Sequence, residues 1–406
     1  MDGIDMFSLR RQTLEGVMLA GVGAAAAAML MPGFGRIGYL GMLLALLAWL
    51  FLGRQRQGAA HFLHPLWLGY YALVSLLLLS ARVSPDAALT FGAVGDTVLR
   101  YALLAPPLTH LLCSPEGRRR VGAALALVGL VGVVCNAGQY AYELAFDPAR
   151  LAEIMEHRRW SDALVFFFPF LLLSGRNSQG WQARGWYFTA FLATAMIIGT
   201  GARGAWLALL AALFVWLVAD REYRPLIQRL LLGIAVVGVL AYLLLPSHIV
   251  ADRVKQGFDS SSRVSGTWGP SLKMMADHPW QGYGYGQEIF HAEFNRRAPN
   301  ESSWSFKTSL GPHSIYLEVG FAAGVPALLL LLGLVCGACG CLWRAIKGNN
   351  GLADADRFLA LATACSWVAF YVVRGSFESV RWGPLFLLLP LAVALHREVF
   401  NDQAKI

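Results

Sequence analysis

Gly311-Pro-His-Ser-Ile-Tyr-Leu-Glu318 runs without a break into Val319-Gly-Phe-Ala-Ala-Gly-Val-Pro326 and on into the apolar run 327–335. A polar, chemistry-bearing segment thus passes directly into a stretch fit to cross a bilayer. Upstream lies the longest polar interruption of the chain, Pro246 to Pro312, which holds Arg263 and His278-Pro-Trp-Gln-Gly-Tyr-Gly-Tyr-Gly286. Outside this region the sequence is dominated by apolar runs. The arrangement places chemistry at a membrane surface.

Composition agrees with that reading. Of 406 residues 57% are hydrophobic and only 14% charged, and the mean hydropathy is +0.52, values foreign to soluble domains. An all-α polytopic membrane protein follows, with about twelve transmembrane helices, each needing roughly 20 apolar residues. The runs are Thr13–Met31, Ile37–Leu52, Phe62–Ser80, Thr97–Leu112, Val121–Leu144, Asp162–Ser174, Gly185–Thr200, Gly204–Ala219, Leu226–Leu245, His313–Leu342, Phe358–Val373 and Pro384–His396. Three regions result: spans one to nine over 1–245, an outer loop over 246–312, and the last three spans over 313–406. The first apolar run is too long for a cleaved leader and reads as a retained anchor.

Lys and Arg resist translocation, so their bias across short loops sets orientation. With the N-terminus inside, the cytoplasmic loops hold Arg10, Arg11, Arg54, Arg56, Arg118–Arg120, Arg176, Arg184, Arg221, Arg224, Arg229, Arg344, Lys347 and Arg357, and the C-terminal tail holds Arg397 and Lys405. The opposite short loops hold Arg36, Arg82, Arg203, Arg374 and Arg381. Both termini are then cytoplasmic, and the long loop lies outside with a smaller polar excursion over 145–161. The net charge of +8 is accounted for by topology and outer arginines, so nucleic acid is not an expected partner.

Several residues stand out against this background. Arg203, in the turn Thr200-Gly-Ala-Arg-Gly204, is a positive charge on the side that topology disfavours. Arg100 sits inside an apolar run, where a charge is a functional suspect unless it snorkels or pairs with Asp96. The segment from Asp147 to Arg159 has Leu151, Ile154 and Met155 at helical spacing, a surface amphipathic helix whose Arg150, Arg158 and Arg159 suit anionic lipid phosphates. Gly282, Tyr283 and Tyr285 belong to an irregular stretch that either approaches a sugar or phosphate closely or forms a plain turn. It follows no strand, which removes a dinucleotide-binding reading. Ala24–Ala28 and neighbouring glycines permit close helix packing.

Metal chemistry has little support. Cys336-x-x-Cys339-x-Cys341 lacks a nearby fourth ligand and reads as small-residue packing, and Asp354-Ala-Asp356 falls on the cytoplasmic side as an exposed helix start. No cofactor or metal is expected. What remains outside is a set of arginines, whose planar forks suit phosphate oxygens, and His313. Following Pro312, that histidine is expected in the first helical turn, where the helix dipole keeps it neutral and fit for general-base work. Glu318, further along, is an orienting or packing partner.

Taken with Arg263 and His278-Pro-Trp-Gln-Gly-Tyr-Gly, the segment from His313 to Pro326 resembles the signature region of the O-antigen ligase and polymerase superfamily, and the placement of the long loop looks most like the ligases of Gram-negative bacteria. Arg203 falls in the turn where that family keeps an essential arginine, and Ser314 fits its pattern after the histidine. The resemblance implies a C-type glycosyltransferase architecture in the inner membrane, with its active site at the periplasmic face. It implies metal-independent transfer of a glycan from undecaprenyl pyrophosphate to the lipid A-core oligosaccharide. His313, Arg203 and Arg263 would be catalytic, with Arg150, Arg158, Arg159, Gly282, Tyr283, Tyr285 and Glu318 touching substrate. The motif is shared with repeat-unit polymerases and with oligosaccharyltransferases that modify proteins. A transporter of lipid-linked glycan would need more mid-membrane charges than the chain carries.

Overall fold

The computed structural model describes residues 6–53, 57–147, 154–244, 263–348 and 353–403. The expected Ser260–Ser262 turn and Arg150 lie outside them, as do the side chains of Arg158 and Arg159. The principal helices are α1 (Met6–Leu30), α2 (Gly35–Phe51), α3 (Pro65–Leu79), α4 (Ala87–Ala93), α5 (Ala105–Leu112), α6 (Pro115–Phe146), α7 (Ile154–Asn177), α8 (Gly180–Gly199), α9 (Arg203–Ala219) and α10 (Arg224–Leu244). There follow α11 (Gly269–Asp277), α12 (Gln287–Arg297), α13 (Ile315–Lys347), α14 (Asp354–Trp367) and α15 (Leu385–Gln403). Six helical segments among the described residues are long and apolar enough to cross a membrane, and three shorter apolar helices accompany them. The protein is an all-α, multi-pass membrane protein.

Which helices face lipid follows from where apolar side chains are left uncovered. Leu40, Leu43, Leu44, Leu47 and Leu50 of α2 are exposed, a surface tolerable only against hydrocarbon. In contrast, α7 buries Phe166, Phe167, Phe168 and Phe170, and α15 is buried continuously over 385–395. These two, with α14, form the interior, and Phe370 meets Phe166 edge to face with ring centroids 5.6 Å apart. Small residues knit α1 to α2: a Cβ on Gly21 would stand 2.3 Å from the Gly41 carbonyl oxygen, and one on Gly38 2.1 Å from the Ala28 Cβ. Helices in lipid gain from such close approach because no hydrophobic force drives them together.

The break in α13 organises the packing of the segment 263–312. Pro326 lacks an N–H and crowds the carbonyl four residues earlier, and Ala323 and Gly324 leave helical geometry, Gly324 at φ 77°. Inside a membrane every freed backbone group needs a partner. The glycine-rich segment 279–286 supplies them. Tyr283 N–H donates to the Phe321 carbonyl at 3.0 Å, Gly284 N–H to Ala322 at 2.9 Å, and Val325 N–H to the Pro279 carbonyl at 2.7 Å. Gly282 passes so near that a Cβ would lie 2.4 Å from the Ala322 carbonyl oxygen. The close backbone approach seen in the sequence is thus an approach to α13.

The described residues 263–312 pack over this joint. Trp268 ends a π-type turn leading into α11, which stops before His278-Pro279. Met274, Phe290, Phe294, Trp304 and Phe321 form a separate apolar cluster. Arg297 pins it, donating to Tyr283 Oη at 2.6 Å and pairing with Asp277 and Glu293.

Two further expectations change. Asp356 is buried, not exposed, and receives a two-pronged ion pair from buried Arg118 at 2.9 and 2.8 Å. Residues 154–159 continue directly into α7 rather than forming a helix of their own.

Candidate active site

His313 precedes α13 instead of starting it. Ser314 occupies the N-cap position with extended backbone, and His313 has φ 49°, alone among the described non-glycine residues in taking a positive value. A left-handed histidine is costly and persists where its surroundings hold it. Lying outside the helix, it feels the helix dipole less than a first-turn residue would. Trp268 Nε1–H points at its carbonyl from 3.5 Å.

The carboxylate that reaches His313 is Glu378, not Glu318. Glu378 Oε2 lies 3.0 Å from His313 Nδ1. Burial opposes ionisation of Glu378, but the hydrogen bond with His313 and the charges of Arg374 and Arg263 outweigh it and hold the carboxyl below its ordinary range. An ionised carboxylate accepts a proton-bearing Nδ1, which leaves the Nε2 lone pair as the basic position.

Arginines surround this pair. Arg263 Nη1 donates to the Phe377 carbonyl at 2.7 Å, and its Nη2 stands 3.7 Å from Glu378 Oε1. Arg374 is buried and donates through Nε and Nη2 to Asp162 Oδ1 at 2.9 and 2.5 Å, while its Nη1 has no hydrogen-bond partner among the described residues. That Nη1 lies against Gly204, where a Cβ would be only 2.9 Å away. The N-terminus of α9, whose first residue is Arg203, is therefore packed on the segment 374–377 that also receives Arg263. Four elements far apart in sequence converge here: the start of α9, the turn before α11, the entry to α13 and the segment after α14.

Not every candidate from the sequence joins them. Tyr283 stacks on Phe321 with centroids 4.9 Å apart, and with Gly282 it serves the α13 joint. Tyr285 Oη lies 3.1 Å from the Thr97 hydroxyl and accepts from Trp382 Nε1 at 2.9 Å. It lines a second cavity together with Glu318. Glu378 and the contact role of Arg374 escaped the sequence reading. The available signal was a lone carboxylate between Arg374 and Arg381 in a short loop.

One group could hold a metal ion at the other end of α13. His64, Cys341 and His396 place their ligand atoms within 4.8 Å of one another, so Cys341 has histidine neighbours that the local cysteine spacing hides. However, His64 Nδ1 accepts the Leu66 N–H at 3.2 Å and its Nε2 faces His396 Nδ1 at 3.1 Å. A neutral His64 then carries its proton on Nε2, where a metal would need the lone pair. The contacts fit a hydrogen-bonded histidine pair.

Residues 188–332 match a family model described as O-antigen ligase. The chain is similar to the O-antigen ligase of Salmonella typhimurium strain LT2, at 29% identity over 336 residues, covering 80% of this chain and 81% of that protein. It is also similar to an O-antigen ligase of Pseudomonas aeruginosa, at 27% identity over 183 residues, covering 45% of this chain and 38% of that one.

Proposed function

We propose, from similarity to the O-antigen ligase family at moderate identity over most of the chain, that this protein transfers a glycan from undecaprenyl pyrophosphate to the lipid A-core oligosaccharide at the periplasmic face of the inner membrane. The observation that carries the reading is the His313–Glu378 pair set among Arg263, Arg374 and the start of α9. It combines one oriented base with guanidinium groups suited to a pyrophosphate.

In this reading the acceptor hydroxyl attacks the anomeric carbon of the donor. The new glycosidic bond forms as the bond from that carbon to the pyrophosphate oxygen breaks, with inversion. His313 Nε2 takes the hydroxyl proton, and Glu378 steadies the imidazolium that results. Arg203, Arg263 and Arg374 stabilise the negative charge growing on the departing undecaprenyl pyrophosphate. A preorganised donor aimed at such a developing charge contributes roughly 3 kcal/mol to lowering the barrier. No step calls for a metal. The accompanying architecture is about twelve spans of C-type glycosyltransferase character, roughly 20 residues each, with cytoplasmic termini and a periplasmic loop over 246–312.

The deciding experiment is the glycolipid profile of a strain lacking the protein. Loss of long glycan from lipid A, with polymerised glycan accumulating on its lipid carrier, is expected. Accumulation of single lipid-linked repeat units instead identifies a polymerase and overturns the ligase reading.

A further inference from the structure

Arg100, conspicuous in the sequence, plays no part in the pyrophosphate site. It lies where its membrane segment loses regular α-helical form: α4 passes into a π-type turn over Val94–Val98, Tyr101 departs from helical angles, and a short 3-10 turn leads into α5. Such breaks are tolerated at membrane depth where they line a polar cavity. A cavity of about 480 Å³ opens there, walled by Tyr39, Asp96, Arg100, Gln287, Glu318 and Arg381. The guanidinium of Arg100 is exposed to it, 5.9 Å from the Tyr39 ring, and forms no hydrogen bond or ion pair among the described residues, Asp96 included. Arg381, also exposed, is tethered by one nitrogen to the Met29 carbonyl at 2.9 Å, which leaves the rest of its fork available.

The cavity shares a wall with the active site. Ser379 lines it directly after Glu378, and Glu318 stands on α13 shortly after His313. The chain segment 374–382 therefore separates two arginine-bearing sites. Transfer between two substrates needs a second site beside the base, and the pyrophosphate has the first. Two guanidinium groups suit an anionic substituent, while the carboxylates, the Gln287 amide and the tyrosines suit sugar hydroxyls and faces. We propose that this cavity binds a phosphate-bearing sugar of the glycan acceptor, with Arg100 and Arg381 on the phosphate. The proposal rests on the glycosyl-transfer reading for the identity of its ligand.

The test uses the purified full chain in phosphatidylcholine nanodiscs. Binding of a deacylated, phosphorylated core oligosaccharide is measured by titration calorimetry, beside the same oligosaccharide after phosphatase treatment. Wild type is expected to prefer the phosphorylated form. Arg100→Gln and Arg381→Gln are expected to weaken it by roughly 10- to 100-fold, the effect of removing one charge-assisted hydrogen bond. In turnover assays the acceptor KM rises correspondingly and the donor KM does not, which also certifies folding. Equal binding of treated and untreated oligosaccharide, unchanged binding in both variants, or a rise confined to donor KM overturns the proposal. Competition by phosphatidylglycerol introduced into the discs, at the same arginines, would assign the cavity to a lipid headgroup and overturn it as well. Binding is read without turnover, so phosphate-selective binding in a protein that transfers no glycan leaves the site standing and removes the transferase reading.

Discussion

Glu378→Gln isolates the contribution of the carboxylate to the base. The substitution keeps the shape of the side chain but removes the charge that lies 3.0 Å from His313 Nδ1. When His313 takes a proton, opposite charges about 4 Å apart attract by about 4 kcal/mol at an effective dielectric constant of about 20. The side chains of His313 and Glu378 are 36% and 24% exposed, so solvent screening reduces this to about 1–3 kcal/mol. A loss of roughly 10- to 100-fold in kcat follows. His313→Ala should lose about 10²–10⁴-fold, the range for positioned proton transfer. If Glu378 acts only through His313, the double variant is no slower than His313→Ala alone, because groups acting as a unit do not add. Single-turnover transfer from lipid-linked donor, with donor binding measured separately, reads all three. Wild-type turnover in Glu378→Gln, or additive losses in the double variant, refutes the reasoning.

Four further outcomes are expected. Arg203→Lys and Arg263→Lys should bind lipid-linked pyrophosphate poorly in a direct binding assay, because lysine retains charge and loses the planar fork. Asp356→Asn should destabilise the protein by about 3–5 kcal/mol in detergent unfolding by removing the carboxylate charge that faces the buried Arg118 guanidinium; combining Arg118→Met with Asp356→Leu should recover much of the loss. Since Glu378 titrates below the ordinary carboxylate range, its stabilisation is fully present above that range and is lost as pH falls through the lower folded value. The unfolding temperatures of wild type and Glu378→Gln should therefore converge only in acid below the ordinary carboxylate range, as pH falls through the lower folded value. Cysteine at Ser302, an exposed position, should react with an impermeant thiol reagent in intact spheroplasts; labelling only after lysis reverses the proposed orientation.

Much of the frame was legible from residues alone. Apolar runs of bilayer length admit only helices when no water is present to satisfy the backbone, so the all-α membrane class needs no tertiary information. Small residues in α1 and α2 announce close packing, and Pro312-His313 ahead of a long apolar run marks chemistry at an interface. Arg203 could be singled out because a positive charge on the disfavoured side asks for a reason, and Arg263 because it belongs to the stretch that resembles a family signature.

Tertiary structure decided the partnerships. Glu318 shares the helix that follows His313, and sequence proximity favoured it, yet the backbone turn at His313 aims the ring at Glu378, which arrives from beyond α14. The glycine run 282–286 suggests in the sequence a close approach to a sugar or phosphate, or a plain turn; only the packed structure shows its backbone against the broken turn of α13, whose freed carbonyls accept its N–H groups. Asp356 met Arg118, and Arg374 met Asp162, across separations that local pattern cannot bridge. Periodicity and composition report the solvent around a segment, whereas a hydrogen bond or ion pair depends on which segments the packed helices bring within about 3 Å of one another.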